Sequence, residues 1–138
     1  MERFTVNGWL WRIRFVDPDS PYLVDRTGRR TIAVTDPKLQ HVFVARGLSG
    51  EKLRRVLIHE LGHVTLVSYG LLPELHRMVK PAYWVDAEEW ACNWIADYGN
   101  MIFRKGSQIL GYDILSDVSD RAPKAFFVYM QQGATFSR

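Results

Sequence analysis

Two histidines four residues apart, with a glutamate after the first, stand in the stretch RRVLIHELGHVTL, residues 54–66. On an α-helix, side chains at positions i and i+4 lie on the same face, so His59 and His63 can point at a common atom. Each imidazole can bind zinc through a nitrogen at about 2.0–2.1 Å. Glu60 lies one position further around the helix, where it can reach a water at the metal. This HExxH spacing predicts two metal ligands and a general base.

Two histidines at this spacing also occur by chance, so the surroundings of the motif matter. Ile58 and Leu61 make the helix apolar. Burying two imidazoles and a carboxylate there without partners would cost free energy, and no neighbouring segment supplies the charge to compensate them. We therefore favour a metal site over a helix that merely contains two histidines.

A catalytic zinc site usually has three protein ligands and one open position. The segment AEEWACNWIADYG, residues 87–99, is the expected source of the third ligand. Glu88 and Glu89 are both candidates, because adjacent helical residues point about 100° apart. Asn93 lies four residues after Glu89, on the same face, where its amide could orient a metal-bound histidine. This spacing favours Glu89 as the ligand and leaves Glu88 as a solvated charge near the start of the helix.

Other side chains are weaker candidates for the same site. Cys92 is expected to pack in the core, and Asp97 is a second choice as ligand or supporting group. His41 could also reach the site. A side-chain donor often stabilises the oxyanion in peptide hydrolysis. The sequence does not choose among four candidates for that role: Tyr69, His76, Tyr83 and Tyr98.

The first 45 residues are predicted to form a small, antiparallel sheet of three to five strands. Asn7-Gly8 joins two alternating runs in RFTVNGWLWRIRFV, which is a strong hairpin signal. RTIAVT (30–35) and HVFVA (41–45) are predicted to be two further strands.

The second part is predicted to be helical, which makes the fold class α+β. Ser49 is the expected N-cap of a helix that carries the histidines and stops at Gly70. Asp86 is the expected cap of a second helix over residues 87–104, after an irregular segment at 71–83.

The chain is predicted to be a single domain, residues 1–138. Its β-rich part covers 1–45, its helical part 49–105 and a C-terminal segment 106–138, in which KAFFVYM (124–130) fits either a strand or a short helix.

The composition is that of an ordinary globular protein, with 47% hydrophobic and 24% charged residues. No apolar run approaches the roughly 18 residues of a membrane span. The start of the chain alternates like a strand, unlike a signal peptide, and one cysteine excludes an internal disulfide, so a cytoplasmic location is expected. The net charge of +3 is spread along the sequence, and nucleic acid is not the expected partner.

A β-rich start, a helix with HELGH and a later helix with Glu89, Cys92, Asn93 and Ala96 resemble the ImmA/IrrE-like family of minimal zincin metallopeptidases. The resemblance covers mainly residues 30–105. It implies a zinc-dependent endopeptidase domain, often encoded on phages and other mobile elements, and several relatives cleave a transcriptional repressor. Two features depart from the family: DYGNMIF replaces its usual Leu-Leu-Met-Pro ending, and the helix-turn-helix of some relatives is missing. The substrate therefore does not carry over.

The sequence thus predicts zinc-assisted peptide hydrolysis, with His59, His63 and Glu89 as ligands and Glu60 as the base. The substrate would be a protein or peptide, including a transcriptional regulator, and Mn²⁺, Fe²⁺ or Co²⁺ could replace Zn²⁺. One alternative is a non-catalytic zinc-binding module that contacts other proteins. Another is a protease that acts on proteins bound to DNA.

Overall fold

The computed structural model describes residues 2–116 of the 138-residue chain. Within this part, four strands precede three α-helices, which confirms the predicted α+β class. The segment 124–130 lies outside the described residues. The strands are β1 (Glu2–Val6), β2 (Trp9–Val16), β3 (Ala33–Asp36) and β4 (His41–Ala45), and the helices are α1 (Gly50–Ser68), α2 (Leu72–Arg77) and α3 (Trp84–Leu110).

The β1–β2 hairpin forms as predicted. Val6 pairs with Trp9, and the two turn residues Asn7 and Gly8 have φ angles of 49° and 79°. Positive φ at both positions is the geometry that makes Asn-Gly favourable in a two-residue hairpin turn.

The prediction of an antiparallel sheet is wrong for one pair of strands. The strand order is β1-β2-β4-β3, and β2 runs parallel to β4, with Arg12 opposite His41. Residues 17–32 cross past the sheet and include a 3₁₀ turn at Pro21–Leu23. β3 then takes the edge position and β4 returns antiparallel to it, which places β4 beside β2 in the same direction. The sheet is therefore mixed, and β3 is an edge strand among the described residues.

The core lies between one face of the sheet and α1. Trp11, Val42, Val44 and Val64 are almost completely buried there. The Trp11 indole nitrogen donates a hydrogen bond of 2.9 Å to the Ser68 hydroxyl at the end of α1. A buried indole needs such an acceptor, so this bond fixes the end of α1 against β2.

Helix α1 begins and ends close to the predicted positions. Ser49 is the N-cap residue, although its side chain makes no capping hydrogen bond. At the other end Gly70 has a φ of 66°, and the Leu71 amide donates to the Leu66 carbonyl. Glycine suits this left-handed position, which closes the last turn of the helix.

Helix α3 begins earlier and ends later than predicted. A 3₁₀ turn at Pro81–Tyr83 continues directly into the helix, so Tyr83 is the N-cap and Asp86 lies inside the first turn. The carboxylate of Asp86 therefore stabilises the helix dipole instead of capping a backbone amide. The helix continues beyond residue 104 until Gly111, with a φ of 81°, ends it. Among the described residues, no helix combines the length and the apolar composition needed to cross a bilayer.

Helices α1 and α3 approach each other very closely at one point. A Cβ atom placed on Gly62 would lie 3.1 Å from the sulfur of Cys92 and 3.3 Å from its Cα. Cys92 is 1% exposed, in agreement with the predicted packing role. Gly62, the glycine of HELGH, is thus needed for helix packing, because backbone atoms of α3 occupy the space beside it.

We expect Gly62→Ala to destabilise the protein. Alanine alone would favour the helix by about 1 kcal/mol, but overpacking against the α3 backbone costs about 1–3 kcal/mol. Denaturant unfolding should show a net loss of stability. Gly99→Ala is the matched control, since the group nearest to a Cβ there is the movable Ile95 side chain. Equal stability of the two variants would contradict a packing role specific to Gly62.

Candidate metal centre

Three predicted ligand side chains meet between α1 and α3. The Nε2 atoms of His59 and His63 are 3.2 Å apart. One carboxylate oxygen of Glu89 lies 3.1 Å from His59 Nε2, and the other lies 3.2 Å from His63 Nε2. The histidines come from adjacent turns of α1 and Glu89 comes from the second turn of α3.

These separations fit a single metal ion. In a tetrahedral zinc site with bonds of about 2.0–2.2 Å, neighbouring donor atoms are roughly 3.3–3.5 Å apart. The three distances between the donor atoms are within a few tenths of an ångström of that spacing. Two imidazole nitrogens and a carboxylate are also donors that zinc accepts.

The electrostatics of the cluster favour a positive charge at its centre. Burial alone would lower the pKa of His63, but its contacts with Cys92, Glu88 and Glu89 raise that pKa to about 12. Hydrogen bonds from His59 and His63 hold the pKa of Glu89 far below its usual range. The acidic groups around the imidazoles would stabilise a cation bound among them.

Glu60 is buried beside these donors. Its side chain is 8% exposed, and its Oε2 atom lies 3.8 Å from His59 Nε2. The Thr35 hydroxyl, on edge strand β3, donates a hydrogen bond of 2.9 Å to Glu60 Oε1. His59, Glu60 and His63 together form a group able to hold a metal ion. We assign the ligand position to Glu89 because its oxygens approach both imidazoles more closely than Glu60 approaches either.

Burial raises the pKa of Glu60 above its usual value, against the opposing influence of His63 and of the hydrogen bond from Thr35. A carboxylate with a raised pKa takes up a proton more readily, which suits a general base.

The sequence predicted that Glu88 is a solvated charge, and this prediction is wrong. Glu88 is 5% exposed, and one of its oxygens accepts a hydrogen bond of 2.6 Å from His63 Nδ1. Its other oxygen accepts a hydrogen bond of 3.0 Å from Arg26. Glu88 therefore holds the His63 ring so that Nε2 faces Glu89, and a carboxylate in this position also makes the imidazole a stronger ligand.

Arg26 was not expected at the site. It lies in the loop between β2 and β3, and its second nitrogen is 3.5 Å from Glu89. Asp25 fixes this loop by accepting hydrogen bonds from the backbone amides of Thr27 and Arg29. The turn at residues 25–29 was the one feature of the sequence that concerned this loop. A turn shows where the chain reverses direction, but it does not show which residue a side chain of the loop contacts.

Asn93 does not take the predicted position beside a histidine. Its amide oxygen accepts a hydrogen bond of 3.2 Å from Arg55, which also forms an ion pair of 2.6 Å with Asp97. These three side chains join α1 to α3 at the surface. Asp97 is thus engaged away from the metal site, and the orienting role assigned to Asn93 belongs to Glu88.

A cleft of about 430 Å³ opens beside the cluster, between the edge of the sheet and the two helices. None of the four predicted oxyanion donors lines this cleft; they are Tyr69, His76, Tyr83 and Tyr98. His41 does not line it either. His76 instead stacks on Trp84 with ring centroids 4.4 Å apart. Besides the two histidines, the donor side chains that line the cleft are Arg26, Thr31, Thr35 and Lys38.

No family model, curated protein or solved structure matches this chain.

We expect the wild-type protein to bind about one Zn²⁺ ion, and Glu89→Gln and Glu88→Gln to weaken binding in different degrees. Loss of a direct ligand should remove measurable binding, whereas loss of the Glu88 support should weaken it about 10–100-fold. Competition against a chromophoric chelator measures both affinities. Glu51→Gln, an exposed change on α1, is the control. A larger loss in Glu88→Gln than in Glu89→Gln would reverse the two assignments.

Proposed function

We propose that the protein is a zinc-dependent endopeptidase. The observation that carries this proposal is a buried carboxylate, Glu60, beside three donor atoms that already have the spacing of a metal site. A site that served only structure would need no free base and would be closed by a fourth protein ligand. The cytoplasm is our proposed location, on the basis of the single cysteine.

The ligands of the ion would be His59, His63 and Glu89. Zinc held there would acidify a water and polarise a peptide carbonyl. Glu60 accepts a proton from the attacking water, whose oxygen bonds to the carbonyl carbon. When the carbon–nitrogen bond breaks, the same carboxylate delivers that proton to the leaving amine. Thr35 keeps Glu60 turned toward the cleft throughout.

The substrate would be an extended segment of a protein. Strand β4 is flanked by β2 and β3 and has no free edge. Within residues 2–116, strand β3 has a free edge, and its residues Val34 and Thr35 line the cleft. A peptide added as a further strand would run past Glu60 with its backbone groups paired. A transcriptional regulator as substrate follows from the family resemblance alone.

The alternative is a non-catalytic zinc-binding module. It would require another protein ligand, and the remaining histidines and the one cysteine are His41, His76 and Cys92. None of the three lines the cleft. Cys92 contacts His63 but is buried against Gly62. This arrangement favours the catalytic function.

Glu60→Gln should keep zinc and lose peptide hydrolysis. The amide preserves the shape of the side chain but cannot take a proton, so kcat should fall by at least about 100-fold. Turnover is measured by mass spectrometry as new termini in a library of protein-derived peptides, with zinc content determined on the same samples. Undiminished turnover would exclude Glu60 as the base.

Thr35→Val should lower kcat without lowering zinc affinity. The change removes the hydroxyl that orients Glu60 and almost preserves side-chain volume, and one such hydrogen bond to a charged group contributes roughly 1.5–3 kcal/mol. Thr31→Val, also in the cleft lining, is the control. Equal rates in the two variants would show that Thr35 does not position the base.

A further inference from the structure

Helix α3 has a long apolar face that no described residue covers. At 100° per residue, six large side chains fall within an arc of about 120°, over a length of roughly 28 Å. Their exposed fractions lie between 41% and 84%. They are Trp90, Trp94, Tyr98, Met101, Ile102 and Ile109, and we call them the α3 apolar face.

Within residues 2–116, this face is large for a monomer. The six side chains expose on the order of 700 Å², whereas the largest apolar patch of a typical monomer covers about 300–600 Å². A standard stable interface buries about 800 Å² on each partner. Aromatic residues and methionine, four of the six, are also the types enriched at such interfaces.

The two ends of the face carry opposite charges. Asp86 is exposed near the start of α3, and Arg104 is exposed near its end. They are 18 positions apart, which is five turns, so both lie on the same flank of the apolar face. Neither has an ion-pair partner within residues 2–116.

We propose that the α3 apolar face joins two copies of this chain in an antiparallel, two-fold symmetric dimer. With the axis near Ile95, Trp94 of one copy lies opposite Tyr98 of the other, and Trp90 lies opposite Met101. A two-fold axis perpendicular to both helices places the same flank of each helix on the same side of the dimer. The same register therefore brings Asp86 of one copy to Arg104 of the second copy, twice in the dimer. The face thus pairs apolar residues with apolar residues and opposite charges with each other.

The dimer leaves the metal centre accessible. Glu88 and Cys92, which face α1 and the site, point about 100° or more away from the middle of the α3 apolar face. Both clefts of the dimer would open away from the interface. The proposal thus goes beyond the peptidase function and does not depend on it.

Sedimentation equilibrium of the full chain, over about 1–100 µM, tests the dimer through its concentration dependence. Wild type should sediment as a dimer. Trp94→Lys places two cations beside the axis and should give a monomer over the whole range. Circular dichroism and zinc content check that this variant is folded. A wild-type monomer throughout, or a dimer that persists in Trp94→Lys, would overturn the proposal.

Charge reversal tests the register. Asp86→Arg and Arg104→Asp should each weaken the dimer about three- to tenfold, because exposed ion pairs contribute little individually, and the double variant should restore it. Lys52→Glu, exposed on α1, changes the net charge by the same amount as Arg104→Asp and should have no effect. Failure of the double variant to recover, while both single variants weaken the dimer, would overturn the antiparallel register.

Discussion

The contact between Gly62 and Cys92 sets the separation of α1 and α3, and the candidate site depends on that separation. Gly62 lies between the two histidine turns, while Cys92 follows Glu89 by three residues and Glu88 by four. With the two backbones this close, a short carboxylate side chain on α3 reaches an imidazole on α1. A side chain at position 62 would push the helices apart where the donor atoms must stay within about 3 Å of each other. The motif glycine is therefore a structural part of the candidate metal centre although it carries no functional group.

A chain of alternating charges extends outward from this contact. His63 bonds to Glu88, Glu88 to Arg26, and Arg26 also approaches Glu89. Buried carboxylates and imidazoles are stable only when each has a partner, so the loop that carries Arg26 is tied to the site by the charge it supplies. Burial would raise the pKa of Glu88, but its bonds to His63 and Arg26 keep that pKa below its usual value. Glu88 is thus ionised where an imidazole ligand benefits from a negative neighbour.

The parts that could be predicted from sequence are those that local spacing determines. The Asn7-Gly8 hairpin and the helix over the two histidines follow from turn chemistry and helical periodicity. Glu89 was preferred to Glu88 because of Asn93, which bonds to Arg55 instead, so that preference had no sound basis in the spacing. The parallel pairing of β2 with β4 could not be derived, because a loop's path across a sheet leaves no periodic signal. Arg26 was missed for the same reason, since 62 positions separate it from Glu88. Glu88 and Asn93 were misjudged because helical spacing gives the face of a residue but not the partner that faces it.

The mixed sheet also has a consequence for the order in which the molecule folds. The β1–β2 hairpin closes a loop of two residues, but β2 must meet β4 across a gap in which Arg12 pairs with His41, 29 positions later. Contacts of longer separation form later because more chain entropy is lost in making them. Among the described residues, edge strand β3 supplies Thr35 and joins the sheet through β4 alone. Helix α1 packs on that sheet, and α3 packs on α1. A nascent or partly unfolded chain would therefore hold the hairpin without an oriented Glu60. The side chains of the candidate metal centre would therefore come together only in the finished fold.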